Sequence, residues 1–211
     1  LHTYLCGEQN SRSLVLLHGY GGSSTFFYAM LQDLSQKYKV YCVDLLGMGL
    51  SSKLDFTCTT AEETIEYFVE SLEKWREAMD IKEFELGGLS FGGYVGTHYA
   101  IKHQERVKRL FLISPAGVTK GGETIAEAVE RANGLPWMDR FKLNLKIKAW
   151  NERTSPADYY NRYWFLANFM IKKDMHRKFG ENGKESQFAD LMYNLFTKML
   201  ELGSGSDRAV Y

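Results

Sequence analysis

A serine flanked by glycines is the residue in this 211-residue chain best suited to covalent chemistry. Gly88 to Gly92 reads GLSFG and matches the Gly-x-Ser-x-Gly pattern, with Ser90 at its centre. Such a serine attacks a carbonyl carbon when a sharp turn exposes its hydroxyl and a base takes the proton. Gly88 and Gly92 would relieve the crowding where the strand before the turn meets the helix after it. The alternative is a serine in an ordinary tight turn between a strand and a helix.

A second glycine-rich segment, His18 to Gly22 (HGYGG), follows the apolar run SLVLL. In enzymes with a serine at such a turn, a loop in this place supplies half of an oxyanion hole. We therefore predict that the backbone N–H groups of Tyr20 and Phe91 bind the oxyanion, and that His18 and Gly19 belong to the same loop. The imidazole of His18 could act as a base, but a histidine in this motif more often maintains the shape of the loop.

The same loop also permits a different interpretation. Gly19-x-Gly21-x-x-Ser24 follows a strand, and Asp44 ends the next strand, which resembles a degenerate dinucleotide-binding fingerprint. The third glycine of that fingerprint is missing, and the motif around Ser90 would have no role. The nucleophile hypothesis accounts for both segments, so we expect neither a cofactor nor a metal.

The elements that would position these motifs alternate between short apolar runs and helical periodicity. Thr60 to Glu63 (TAEE) has the form of a helix capping box, and apolar residues follow at helical spacing as far as Met79. This alternation is typical of βαβ units on a mainly parallel sheet, so we predict an α/β fold. The predicted strands are Ser13–Leu17, Lys39–Val43, Phe84–Gly87 and Val107–Ile113, with His2–Leu5 as a further edge strand.

After about residue 119 the apolar strand pattern stops and aromatic, helical sequence follows. We predict that residues 1–119 form the first part of the sheet core, residues 120–202 a helical cap insertion, and residues 203–211 the start of a return to the core. Ser155-Pro156 is a typical helix start, because proline suits the first helical position and serine can cap it. We expect that helix to continue through YYNRYWFLANFMIKK.

Several further segments strengthen a resemblance to a known family. They are Asp44–Ser52 (DLLGMGLSS), Asp55–Cys58 (DFTC), Glu66–Arg76 (EYFVESLEKWR) and Ser114–Gly117 (SPAG). Together with the motifs around His18 and Ser90, they resemble the α/β-hydrolase superfamily, and within it the branch of abhydrolase-domain proteins four and five. The resemblance is strong over residues 13–119 and weak through the helical insertion. It implies the α/β-hydrolase fold.

The resemblance also implies an activity. The branch holds lysophospholipid and N-acyl phospholipid hydrolases and a lipid-droplet lipase co-activator. Carried over by position, the nucleophile falls on Ser90 and the oxyanion loop on His18 to Gly22, while Asp44 is structural. Leu89 replaces a histidine found in many relatives, which alters the lining of the turn and need not abolish chemistry. We expect a serine carboxylic-ester hydrolase or acyltransferase that takes the acyl group of a lipid ester or amide, of lysophospholipid type, through an acyl-enzyme on Ser90.

The family's catalytic acid and its His-x4-Asp motif have no match in the sequence. None of the histidines has aspartate five positions later; they are His2, His18, His98, His103 and His176. Because this fold orders its triad as serine, acid and histidine, we expect both partners, and the last strands of the sheet, beyond Tyr211. The alternative function is a non-catalytic lipid-surface protein that activates a lipase. The co-activator of the branch lacks the serine, so the presence of Ser90 favours an enzyme.

Charge narrows the expected partners. The 26 Lys and Arg residues balance 26 Asp and Glu residues, so nucleic acid is not expected as a partner. Between Trp137 and Phe179, however, ten basic residues stand against four acidic ones, with aromatic residues interleaved. This composition suits an anionic lipid head group and acyl chain, or the surface of a membrane or lipid droplet. The alternative is that the aromatic residues pack on the core and the lysines are solvated.

Cysteine usage and hydropathy bear on the compartment. Cys6, Cys42 and Cys58 are odd in number and lack metal-site spacing, which fits a reducing compartment. No apolar run reaches the roughly 20 residues of a membrane span, and no signal-peptide pattern occurs. We expect a cytoplasmic protein, with peripheral attachment to membranes or lipid droplets as a further expectation. Because the sequence begins with Leu1, a targeting segment upstream stays open.

Overall fold

The structure of the chain, a computed structural model, describes residues 1–117, 127, 129–131, 134–152, 154, 156–180 and 187–202. Residues 1–117 belong to one unit, and the described residues from 127 onwards belong to a second. The predicted boundary at residues 119 and 120 and the predicted return segment 203–211 lie outside the described residues.

One sheet organises the first unit. Its strands are β1 (Thr3–Cys6), β2 (Ser13–Leu17), β3 (Lys39–Val43), β4 (Phe84–Leu89) and β5 (Val107–Ile113). Their order is β1-β3-β2-β4-β5, with β1 antiparallel to β3 and the other neighbours parallel. The mainly parallel sheet is therefore confirmed. β4 runs two residues beyond its predicted end, because Gly88 and Leu89 still pair with β5.

Three helices of the first unit flank or follow these strands. They are α1 (Tyr28–Leu34), which follows a 3₁₀ turn over Ser24–Phe27, α2 (Ala61–Ala78) and α3 (Phe91–Lys102). The predicted capping box at the start of α2 is confirmed: the Glu63 N–H donates to Thr60 Oγ1 at 3.2 Å, and the Glu63 carboxylate accepts the Thr60 N–H at 3.3 Å. This exchange satisfies N–H groups that the first turn would otherwise leave unpaired.

The core between α2, α3 and the sheet contains one buried ion pair. The guanidinium of Arg76 donates to both carboxylate oxygens of Glu73 at 2.8 and 2.9 Å, and the hydroxyl of Tyr99 donates to the same carboxylate. The hydrogen bonds from Arg76 lower the pKa of Glu73 to about 2. Tyr99 lies on α3, so this network ties α2 to the helix that begins just after Ser90.

Four helices are described in the second unit: α4 (Trp137–Asn151), α5 (Pro156–Arg162), α6 (Trp164–Phe179) and α7 (Gln187–Leu202). The prediction of one helix through YYNRYWFLANFMIKK is wrong, because Tyr163 leaves the helical conformation (φ −123°, ψ 31°). The Tyr160 hydroxyl donates to Asn168 Oδ1 at 2.8 Å. In a straight helix these residues would be about 12 Å apart along the axis, so this bond requires the break. No helix in the described part of the chain is long and apolar enough to cross a membrane.

Candidate active site

Ser90 occupies a strained turn between β4 and α3. Its backbone has φ 50° and ψ −113°, a conformation that a non-glycine residue keeps only when its surroundings enforce it. The Ser90 N–H donates to the Ile113 carbonyl at 3.0 Å, and the Ser90 carbonyl accepts from the N–H groups of Gly93 and Ala116, each at 3.0 Å. Among the residues that the structure describes, none hydrogen-bonds the Ser90 hydroxyl. The turn therefore fixes the backbone and leaves the side chain available.

The glycines beside Ser90 have no room for a side chain. A Cβ at Gly92 would lie 2.5 Å from the His18 carbonyl oxygen and closer still to that of Leu17. A Cβ at Gly88 would lie 2.6 Å from the Cα of Gly93. These contacts involve backbone, which cannot move aside cheaply, so glycine at both positions is required by the close approach of β2, β4 and α3.

The glycine-rich loop after β2 lies directly against the serine. A Cβ built on Gly19 would be 3.4 Å from the Cβ of Ser90 and 3.9 Å from its Oγ. The rings of Tyr20 and Phe91 are in edge contact, with centroids 6.2 Å apart. Phe91 is the first residue of α3, and the N-terminus of a helix favours negative charge. The two residues predicted to form the oxyanion hole are thus neighbours beside Ser90.

His18 maintains the loop and is not free to transfer a proton. Its Nε2 accepts the Leu45 N–H at 3.0 Å, so the ring proton must be on Nδ1, which donates to the Gly19 carbonyl at 2.7 Å. Burial lowers the pKa of His18, which keeps the ring neutral. Since both ring nitrogens are engaged, His18 cannot accept the proton of Ser90 without breaking the loop.

Asp44 links two loops at the carboxyl ends of the strands, where Ser90 also lies. Its Oδ1 accepts the Ser24 N–H at 2.6 Å, and its Oδ2 accepts the Leu50 N–H at 2.9 Å. Gly49 has φ 54°, and a Cβ there would collide with the Asp44 carboxylate. The aspartate is almost completely buried. An acid that binds a ribose must face the ligand, so this inward arrangement argues against the dinucleotide interpretation.

The loop after β5 clamps the turn from the other side, and sequence reasoning assigned it no role. Ser114 has φ 43°, and Ile113 and Ala116 make the two backbone bonds to Ser90 described above. Pro115 packs so close to Gly93 that a Cβ there would lie 2.8 Å from the proline ring. The SPAG motif was visible as part of the family resemblance, but its contact with Ser90 depends on the pairing of β4 with β5.

The structure does not bring a histidine to Ser90. All five histidines are among the described residues, and none hydrogen-bonds the serine. The rings of His98 and His103 lie against Tyr94 and Tyr99 on α3. The others have partners elsewhere: His2 lies 3.0 Å from Asp44, and His176 lies 3.2 Å from Asp190 in the second unit.

The thiols do not compete with Ser90 as nucleophiles. Burial raises the pKa of Cys42 to about 12 and also raises the pKa values of Cys6 and Cys58. Because the thiolate is the reactive form, these cysteines are poor nucleophiles near neutral pH.

A cavity of about 710 Å³ lies at the amino ends of the parallel strands, whereas Ser90 lies at their carboxyl ends. Its lining includes Ser13, Lys39 and Phe84, the first residues of β2, β3 and β4. Ligands of open α/β sheets bind at the carboxyl ends of the strands. Ser90 follows the carboxyl end of β4, so the size of this cavity does not make it the active site.

Comparison with known proteins agrees with this geometry. The sequence profile of the α/β-hydrolase fold family matches residues 12–203. The chain is 38% identical over 139 residues to a 1-acylglycerol-3-phosphate O-acyltransferase from Arabidopsis thaliana, which covers 66% of this chain and 31% of that protein. It is 41% identical over 111 residues to the human (lyso)-N-acylphosphatidylethanolamine lipase, which covers 52% of this chain and 32% of the lipase. The resemblance to the abhydrolase branch is thereby confirmed.

The chain spans about a third of the length of these two relatives. Among solved structures, a thermophilic esterase from Thermogutta terrifontis superposes with a TM-score of 0.62 at 19% identity, over 99% of this chain and 64% of the esterase. At that identity the match supports the fold alone.

Proposed function

Because this chain belongs to the α/β-hydrolase fold family, we propose that it is the part of a serine hydrolase or acyltransferase that carries the nucleophile, Ser90. The observation that carries the proposal is the state of this serine. Its backbone has positive φ and is held by bonds to the end of β5, to the loop after it and to the first turn of α3, while its hydroxyl has no partner among the described residues. Strain of this kind is characteristic of functional sites.

The proposed reaction proceeds in two halves. Ser90 Oγ attacks the acyl carbonyl carbon, and its proton passes to a histidine base. The negative oxygen is stabilised by the backbone N–H groups of Tyr20 and Phe91. The acyl-oxygen or acyl-nitrogen bond then breaks, the leaving group takes the proton, and an acyl-enzyme remains. Water completes hydrolysis, or an acceptor alcohol completes acyl transfer.

The base and its acid are proposed to belong to the natural protein outside this sequence. The reason is chemical: His18 is committed to its loop, and no other histidine of the chain bonds Ser90 within the described residues. The relatives named above are about three times longer than the matched segment, which leaves room for both groups.

The proposed substrate is an acylated glycerophospholipid of lysophospholipid type. Both relatives are named for a lipid that combines an acyl group with a glycerophosphate. The surplus of basic and aromatic residues between Trp137 and Phe179 supports this class, because it complements a phosphate and an acyl chain together.

Labelling with a fluorophosphonate probe tests the proposal, since such probes react with activated serines. The full-length natural protein should be labelled, and Ser90→Ala should abolish labelling. Ser71→Ala is the matched control, because Ser71 on α2 only donates to the Phe68 carbonyl. Labelling that persists in Ser90→Ala would disprove the assignment of the nucleophile.

The second candidate is a non-catalytic lipid-surface protein that activates a lipase. It is favoured by large apolar side chains that lie exposed on the second unit, such as Trp164 and Phe165, because contact with a lipid surface requires such side chains and no chemistry at Ser90. This candidate predicts that the wild-type protein is not labelled and that Ser90→Ala activates a partner lipase as well as the wild type does.

A further inference from the structure

Helix α6 leaves most of its large apolar side chains exposed. Six large apolar residues at and after the break between α5 and α6 are between 48% and 77% exposed. We call them the aromatic face: Tyr163, Trp164, Phe165, Leu166, Phe169 and Met170. Leaving a Phe or Leu side chain in water instead of burying it forgoes roughly 1.5–3 kcal/mol. Monomeric proteins rarely expose such a continuous group, so the face needs an apolar partner.

The less exposed side of α6 carries Ala167, Ile171 and Met175, each partly buried, together with Asn168. Asn168 accepts hydrogen bonds from the hydroxyl groups of Tyr160 and Tyr193 at 2.8 and 3.0 Å. About two turns further along the helix, His176 is buried beside Asp190 of α7. The helix thus has apolar residues on two sides, a partly buried set and the exposed aromatic face. A helix packed on a protein core with water outside is expected to keep its outer side polar, and α6 does not.

Cations follow the aromatic face along the same helix. Lys172 and Lys173 are exposed, and neither has a carboxylate within 4 Å in the described part of the chain. Over α6 as a whole, four Lys and Arg residues stand against Asp174. Aromatic residues with adjacent unpaired cations fit the boundary between lipid head groups and acyl chains, where the rings enter the apolar layer and the ammonium groups meet phosphate.

We propose that the aromatic face is a lipid-surface contact that inserts into an anionic phospholipid layer, with Lys172 and Lys173 on its head groups. A second copy of the chain is a weaker fit, because pairing two such faces would bring their lysines together without counter-charges. The inference extends the proposed function, since a surface of this kind would bring the enzyme to its lipid. It does not depend on Ser90 being the nucleophile.

Flotation of the full-length natural protein with vesicles tests the proposal. One set of vesicles is phosphatidylcholine alone, and the other contains about 30% phosphatidylserine. The test variant carries Trp164→Gln, Phe165→Gln and Phe169→Gln. The control carries Tyr4→Gln, Tyr28→Gln and Ile101→Gln, at positions of the first unit that are 53%, 50% and 62% exposed. A third variant carries Lys172→Glu and Lys173→Glu. It changes only exposed side chains, so we expect it to fold like the wild type.

The aromatic variant should partition at least about tenfold less onto both kinds of vesicle, while the control should partition like the wild type. In the lysine variant, binding to the anionic vesicles should be lost, while binding to the phosphatidylcholine vesicles should stay at the wild-type level. Salt should likewise weaken the binding of the wild type to the anionic vesicles only. Ser90→Ala should bind as the wild type does, which separates a failure here from a failure of the proposed chemistry.

Three results would overturn the proposal. They are wild-type protein that does not float, an aromatic variant that floats like the wild type, and a lysine variant with unchanged binding to anionic vesicles. A switch from dimer to monomer in the aromatic variant, with flotation unchanged, would instead assign the face to self-association.

Discussion

Helices α2 and α6 differ in the burial of their large apolar side chains. Helix α2 buries Phe68, Val69 and Leu72 against the sheet. Helix α6 leaves Trp164 and Phe165 60% and 77% exposed. The charged pair that α2 does bury is fully hydrogen-bonded, which is the usual condition for placing charges in a core. Hydrophobic burial thus fixes α2 and the elements packed against it, while α6 presents apolar side chains to its surroundings.

The difference separates two tasks. In the proposed function the first unit needs rigidity, because a serine nucleophile acts only if the turn that carries it is held in place. The second unit has an exposed apolar surface, and the proposed lipid contact requires apolar side chains outside. Substituting Ser90 should therefore leave the lipid-binding surface intact, and substituting the aromatic face should leave the chemistry at Ser90 intact.

The largest effect is expected from Ser90→Ala. We expect turnover of a lysophospholipid by the full-length protein to fall by about 10³-fold or more, as for other serine nucleophiles. Vesicle binding should not change, because the aromatic face is untouched. Turnover that falls by less than about tenfold would mean that another group carries the acyl chain.

The next largest effect is expected from Gly92→Ala. A methyl group there collides with the backbone of β2, so we expect the free energy of unfolding to fall by roughly 2–4 kcal/mol. Gly96→Ala on the same helix is the control, since its Cβ would meet only side-chain atoms, of Leu86 at 3.4 Å and of Leu110 at 3.8 Å. We expect it to be neutral or stabilising by up to about 1 kcal/mol. Equal losses in urea unfolding of both variants would contradict the close packing described at the turn.

Acid should weaken the hydrogen-bonded network of Glu73 that joins α2 to α3. The pKa of Glu73 is about 2 in the folded protein and about 4.3 when unfolded, so its ionised form stabilises the fold above about pH 4.3. That stability, roughly 2–3 kcal/mol, is lost as the pH falls toward 2. Glu73→Gln should lower stability at pH 7 and flatten the decline between pH 4.3 and 2. Unfolding free energies measured against pH would disprove this contribution if the two curves ran parallel.

The smallest effects distinguish the two sides of α6. Asn168→Leu removes the acceptor of two tyrosine hydroxyls, so we expect it to cost about 1–2 kcal/mol in the free energy of unfolding. Phe165→Gln removes a side chain that is 77% exposed, and we expect a change within about 0.5 kcal/mol. The reverse order, measured by thermal unfolding, would show that the helix buries its aromatic side after all.

Sequence reasoning identified most of the frame of the site. Buried parallel strands are short apolar runs, so β2, β3 and β5 were predicted with their observed bounds. The strand-turn-helix context placed Ser90 between β4 and α3. His18 was predicted to maintain the shape of its loop and Asp44 to be structural, and their hydrogen bonds agree with these roles.

Contacts between distant segments could not be predicted. The clamp from Ala116 onto Ser90 depends on the register between β4 and β5, which no local pattern encodes. The break at Tyr163 allows Tyr160 to bond Asn168, and local periodicity assigns both residues to one helix. The composition between Trp137 and Phe179 left lipid contact and core packing as alternatives, and the exposure of individual side chains of α6 is what favours lipid.

Trapping of the acyl-enzyme would show directly whether Ser90 is the nucleophile. The full-length protein is mixed with a lysophospholipid of known acyl chain, quenched in acid within the first turnover, and digested for mass spectrometry. We expect an adduct of that acyl mass on the peptide containing Ser90, and no adduct in Ser90→Ala. Product formed with the acyl group on another residue, or with no covalent adduct at any time, would contradict it.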